Sequence, residues 1–158
     1  WEFHEKNKGK IEVIALNPCL IMGPPLSTKG FSSSDLLKGT LLGAIPENMQ
    51  LNVNWVDVRE VAQAHINALE AKDGNRYILA GENKNLAEVA EMLKEDWWKH
   101  GYNVTAKEST TETPQSKKQD ALNEKSIKEM GMNYRPLRET MNDMIEGMIS
   151  IGVIPDLR

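Results

Sequence analysis

Asn17-Pro18-Cys19-Leu20-Ile21-Met22-Gly23-Pro24 closes an apolar run that begins at Ile11 and passes through Val13, Ile14, Ala15 and Leu16. A short, β-branched, nearly continuous hydrophobic segment is the pattern of a strand covered on both faces in a parallel sheet, whereas a surface strand would alternate. Pro18 has no N–H to give to a ladder, and Gly23-Pro24-Pro25 is strong turn punctuation. The run therefore predicts a buried strand over 11–16 that opens into a loop at its carboxyl end. In open α/β sheets, ligands bind at that end.

Composition narrows the classes around this strand. A chain of 158 residues that is 40% hydrophobic can bury the core of one globular unit. A net charge of −4 and a pI of about 5.5 argue against a nucleic-acid surface, which needs clustered Lys and Arg, and Lys117-Lys118 is too small a cluster. With Cys19 as the single cysteine no internal disulfide can form, which fits a reducing compartment. No apolar run reaches the roughly 18 to 20 residues of a membrane span, and Trp1 to Lys6 lacks a signal-peptide layout. The expectation is a soluble, cytoplasmic protein with no nucleic-acid or membrane partner.

Along the chain, Trp1 to Lys8 reads as the tail of a helix stopped at Asn7-Lys8-Gly9. After the strand and a loop to Ser33, Ser34-Asp35 reads as an N-cap pair before Leu36, Leu37, Leu41 and Leu42. Asn52 to Val56 has extended character. Asp57 and Glu60 have capping-box spacing, ahead of a helix whose buried stripe is expected at Val58, Val61, Ala62, His65, Ala68 and Leu69. Asp73-Gly74 predicts a turn and 76–80 a strand. Asn85 and Glu88 cap a helix facing inward through Leu86, Val89, Ala90, Leu93 and Trp97. Residues 107–120 contain no large apolar side chain and are expected to form a flexible loop. Asn123 opens a helix that Gly131 closes, and Met141, Met144, Ile145, Met148 and Ile149 mark the core face of the last one. Strands alternating with helices argue an α/β fold.

Two motifs in this order, Asn-Pro-x-Leu-Ile-x-Gly-Pro at 17–24 and Val56-Asp57-Val58-Arg59-Glu60-Val61-Ala62-x-Ala64-His65, carry a resemblance. With Asn123-Glu124-Lys125-Ser126 and the Leu/Met-rich last helix behind them, the chain resembles the extended short-chain dehydrogenase/reductase family. Within it, the nearest group is the dihydroflavonol 4-reductase and cinnamoyl-CoA reductase-like enzymes. The resemblance covers almost the whole chain but only the second half of that family's domain. It implies the C-terminal part of a Rossmann-like parallel sheet plus a small α-rich substrate-binding subdomain, with 1–158 as one half-domain that lacks the nucleotide-binding half.

The family's chemistry uses a glycine-rich turn for the pyrophosphate and a Tyr-x-x-x-Lys pair that protonates the carbonyl oxygen. Neither is present: the glycines never fall in Gly-x-Gly-x-x-Gly, and Tyr77, Tyr102 and Tyr134 have no lysine four residues on. No catalytic residue is assigned, and the chain alone is expected to be inactive and poorly soluble. By resemblance, the cofactor wall is Pro18, Cys19, Leu20 and Ile21, with Ser33 reaching the cofactor. The substrate side is Phe31, Ser32 and Asn54. The cofactor implied is NADP, with NAD possible, and the partner a small organic carbonyl or hydroxyl compound. A nucleotide-sugar epimerase or dehydratase, or a non-catalytic binding member of the fold, is the alternative. Asp57 reads as an N-cap and Arg59 as a surface residue. His4, His65 and His100 lack metal-site spacing, and His65 reads as a core histidine. Cys19 beside Pro18 has no neighbouring base in sequence and reads as an inert thiol.

Overall fold

The computed structural model describes residues 1–30, 32–48, 50–107, 109–110 and 121–158. The expected 107–120 loop lies mostly outside the described residues, and Phe31 lies outside them altogether.

The elements in chain order are α1 (Glu2–Lys6), β1 (Ala15–Pro18), β2 (Leu20–Met22), α2 (Ser32–Leu41), β3 (Asn52–Asp57) and α3 (Val58–Asn67). They continue with β4 (Arg76–Leu79), β5 (Asn83–Asn85), α4 (Leu86–Trp97), α5 (Glu124–Met130) and α6 (Leu137–Ser150). β1 pairs parallel with β4, from Ala15 opposite Arg76 to Pro18 opposite Leu79. β2 pairs parallel with β3, which pairs antiparallel with β5. The quoted stretch is therefore one extended segment that changes partner at Cys19, whose N–H still bonds the Leu79 carbonyl at 3.0 Å.

This corrects the expectation for the strand in two ways. Residues 11–14 have no regular structure, and the ladder begins only at Ala15. The Asp73–Gly74 turn holds the approach: Val13 N–H donates to Asp73 Oδ1 at 2.7 Å and Gly74 N–H donates to the Val13 carbonyl at 3.0 Å. Nor is the strand buried on both faces, since Ala15, Leu16 and Pro18 are half-buried and Asn17 is exposed. Pro18 is the last residue of β1, but the chain stays extended past it into β2 and opens into a loop only after Met22. The amides of Ala15 and Cys19 point to β4, so the intervening even-numbered position 18 faces β1's other edge, where a missing N–H costs no ladder bond.

Two cores sit on these two sheets. α2, α4 and α6 close over β2 and β3 around Met22, Leu37, Leu41, Trp55, Leu93, Met141, Met144, Ile145 and Met148. α3 and α5 pack near β1 and β4 around Val61, Ala64, Tyr77, Leu79 and Met130. The capping boxes of α3 (Asp57, Glu60) and α4 (Asn85, Glu88) form as their spacing predicts. The five named residues of α4 and the four of α6 up to Met148 are buried. Gly131 closes α5 with φ +64°, a conformation that favours glycine.

Three local expectations are corrected. α2 begins at Ser32, so Ser34 and Asp35 lie in its first turn and do not cap it. The buried face of α3 is Glu60, Val61 and Ala64, whereas Val58, Ala62, His65 and Leu69 are exposed. His65 is a surface residue whose Nδ1 lies 2.7 Å from the Val61 carbonyl. The stripe turned because Val58 and Ala62 face a cleft instead of the core.

Candidate active-site cleft

The cleft lies at the carboxyl ends of the parallel strands β2 and β3. It measures about 790 Å³ and is walled by Cys19 to Ser27, by Ser32 and Ser33 at the start of α2, and by Val58, Arg59 and Ala62 of α3. Each element contributes for a local reason. β2 delivers Leu20 and Ile21 because the chain stays extended after leaving β4. The Asp57 cap turns the end of β3 straight into α3, which brings Val58 and Ala62 to the opposite wall. Between them Gly23 takes φ +133°, and a Cβ there would lie 2.7 Å from Val58 Cγ1 and 3.3 Å from Asp57 Oδ1. Only glycine fits both that backbone and that gap.

The wall is apolar apart from serines, the Cys19 thiol and one cation. That cation, Arg59, is already matched: Nη2 lies 2.6 Å from Asp57 Oδ2, Nε donates to Asp57 Oδ1 at 2.9 Å, and Nη1 lies 2.7 Å from Asp143 Oδ2. The bond to Asp57 leads in raising the Arg59 pKa. Burial opposes ionisation of Asp57, but hydrogen bonds from the Arg59 side chain and amide hold its carboxyl below the usual value. Burial pushes Glu60 up, against bonds from the amides of Arg135 and Asp57. Burial alone raises the Cys19 thiol, which lowers its thiolate fraction and makes it a slow nucleophile.

Of the residues singled out from sequence, Cys19, Leu20, Ile21, Ser32 and Ser33 come together on this cleft. Pro18 lies one residue outside it, opposite Leu79. Asn54 does not reach it: it sits in β3 opposite Asn83, and its Oδ1 accepts the Ala121 N–H at 3.1 Å. Sequence reasoning missed Gly23 to Ser27, Val58, Arg59 and Ala62. In the sequence the Gly-Pro-Pro signal indicates only a turn, and the spacing of Val58 and Ala62 indicates a core face. A second groove, about 820 Å³, is lined by Glu82, Glu88, Glu91, Glu95, Lys84 and Arg138. Several of its charges are engaged locally, as in Glu95–Arg138 at 2.7 Å and Glu88 in the α4 cap. Among the described residues no cluster of His, Cys, Asp and Glu could hold a metal ion, and no helix is long and apolar enough to cross a membrane.

A partly parallel sheet with an apolar cleft at its strand ends defines a protein of the Rossmann-like class. The comparisons carry this further. The chain is 30% identical over 156 residues to cinnamoyl-CoA reductase 2 of Arabidopsis thaliana, covering 98% of the chain and 46% of that protein. It is 30% identical to the NADPH-dependent methylglyoxal reductase GRE2 of Saccharomyces cerevisiae, over 90% of the chain and 45% of that protein. The solved structure of yeast methylglyoxal/isovaleraldehyde reductase Gre2 complexed with NADPH superposes with a TM-score of 0.74 at 26% identity, covering 96% of this chain and 52% of that one. The UDP-glucose 4-epimerase of Thermotoga maritima, at 18% identity and a TM-score of 0.73 over 94% of this chain and 49% of its own, shares the fold. No family model matches. The chain belongs to the extended short-chain dehydrogenase/reductase family, and it spans about half the length of the curated relatives it matches.

Proposed function

We propose that this chain supplies the carboxyl-terminal half of an NADPH-dependent reductase domain. In this reading the intact domain reduces a carbonyl, or oxidises a hydroxyl, on a small apolar or aromatic compound in the cytoplasm. The observation that carries it is the cleft wall formed by Cys19, Leu20 and Ile21 at the strand ends. A dry, flat apolar wall suits a planar redox ring, because water kept from the ring cannot compete with hydride transfer. The residues fit such a group: Gly23 lets the strand-end loop approach Val58 with no side chain between them, and Ser32 and Ser33 put hydroxyls on a mostly apolar wall. The nicotinamide, when bound, supplies the hydride. Leu20 and Ile21 would hold the ring on the cleft wall, and Ser33 would offer it a hydroxyl.

The proton for the carbonyl oxygen must come from the half that this chain does not contain, so the chain alone is proposed to have no turnover. A nucleotide-sugar epimerase shares the fold, but the charge balance of the cleft favours the reductase reading. Arg59, the one charged lining residue among the described residues, is already matched by Asp57 and Asp143 and has little charge left for a polar, anionic substrate. The test is a chimera in which this chain replaces the carboxyl-terminal half of the Arabidopsis cinnamoyl-CoA reductase 2. The expected result is NADPH binding and carbonyl-dependent NADPH oxidation by the chimera and none by this chain alone. A folded chimera that leaves NADPH unbound would overturn the proposal.

A further inference from the structure

The Gly23-Pro24-Pro25 loop forms part of the cleft wall, and its far side rests on α6. Gly23 gives its N–H to the buried Met144 sulfur at 3.3 Å. One turn further along α6, Gly147 faces the two prolines. A Cβ built at Gly147 would lie 3.0 Å from Pro25 Cδ, 3.2 Å from Pro24 Cβ and 3.3 Å from Pro24 Cα. These are ring and backbone atoms, so no flexible side-chain tip can swing aside. Glycine in a helix interior is a poor helix former, yet here it sits among Met144, Ile145 and Met148, all fully buried. Neither Met144 nor Gly147 lines the cleft.

We propose that Gly147, together with Met144, is a positioning residue that sets the width of the cleft. The bare backbone at 147 lets the Pro24–Pro25 corner seat against α6, and a side chain there drives that corner into the cleft. The inference goes beyond the reductase reading and holds whatever the cleft binds.

Cys19 provides the readout, because the chain's single cysteine lies on the cleft wall and is half-buried. In the full chain, Gly147→Ala is expected to slow alkylation of Cys19 by iodoacetamide about threefold, the low end of coupling between touching residues. The unfolding temperature should hold or fall modestly, since the strain of displacing the prolines offsets alanine's better helix propensity. Pro25→Ala removes the nearest ring atom, so the double variant should label at nearly the rate of Pro25→Ala alone. Unchanged labelling in a folded Gly147→Ala protein, or a double-variant rate equal to the product of the two single effects, overturns the proposal. Should Gly147→Ala fail to fold, Met144→Leu decides: without the sulfur acceptor the Gly23 corner loosens and labelling speeds up, and a parental rate overturns the proposal.

Discussion

Arg59 Nη2 lies 2.6 Å from Oδ2 of Asp57, the residue that caps the helix Arg59 itself belongs to. The Asp57 side chain has no exposed surface, and it accepts the Arg59 amide at 2.8 Å as well as the guanidinium. One carboxylate thus terminates β3, starts α3 and fixes the charged corner of the cleft.

Arg59→Ala leaves that buried carboxylate without its cation and Asp143 without its partner. Arg59 itself is about a third exposed, so solvent softens the loss. The expected cost is about 1–3 kcal/mol in urea unfolding. Arg59→Lys, which cannot make the forked contact, should recover only part of it.

The pH profile of stability separates the two buried acids. The Asp57 pKa is depressed in the folded state, so its contribution is present above its ordinary 3.8 and is lost as pH falls through the folded value. The Glu60 pKa is raised, so its protonated form favours folding below its ordinary 4.5, and that contribution is lost as pH rises toward the folded value. Urea midpoints measured from acid to neutral pH should show Asp57→Asn flattening the acid limb, and Glu60→Gln removing the decline just above 4.5.

Gly23→Ala tests the floor of the cleft. The new methyl would meet Val58 Cγ1 at 2.7 Å, and φ +133° is strained for any L side chain. A loss of about 2–4 kcal/mol is expected from the two effects together. Adding Val58→Ala should return the steric share and leave the backbone share, which a thermal-unfolding cycle reads directly.

Met148 is fully buried on the face of α6 that meets the larger core. Met148→Ala should cost about 2–5 kcal/mol, and Met148→Leu less than about 1.5 kcal/mol. Chemical denaturation of the pair separates ordinary core packing from a methionine-specific role, which would make the leucine variant as damaging as the alanine one.

Much of the fold was legible because local signals agreed with tertiary ones. The Asp57–Glu60 and Asn85–Glu88 spacings fixed two helix starts, and Gly131 fixed a helix end. The stripe of α3 was misread because hydrophobic spacing reports only that residues are apolar, not which neighbour they face. Val58 and Ala62 wall the cleft, and Glu60, which spacing excludes from a core, is buried through bonds to Arg135 and Asp57. That the chain stays extended past Pro18 was hidden for a related reason: the effect of a proline depends on which edge its nitrogen faces, and that is set by β4, far away in sequence. Of the site, the run from Cys19 to Ile21 was visible. The support from Gly147 was not, because only the folded chain brings α6 beneath the two prolines.

The placement of Pro18 also bears on self-association. β1 and β2 each lie at the end of their sheets, so among the described residues one rim of this segment has no neighbouring strand. A row of free backbone groups there would template fibril growth, and the proline interrupts it midway by offering an incoming chain a carbonyl but no donor. Where no further strand covers that rim, the same residue that leaves the pairing with β4 intact hinders strand addition on the opposite side, and replacing it would be felt first as clumping on storage.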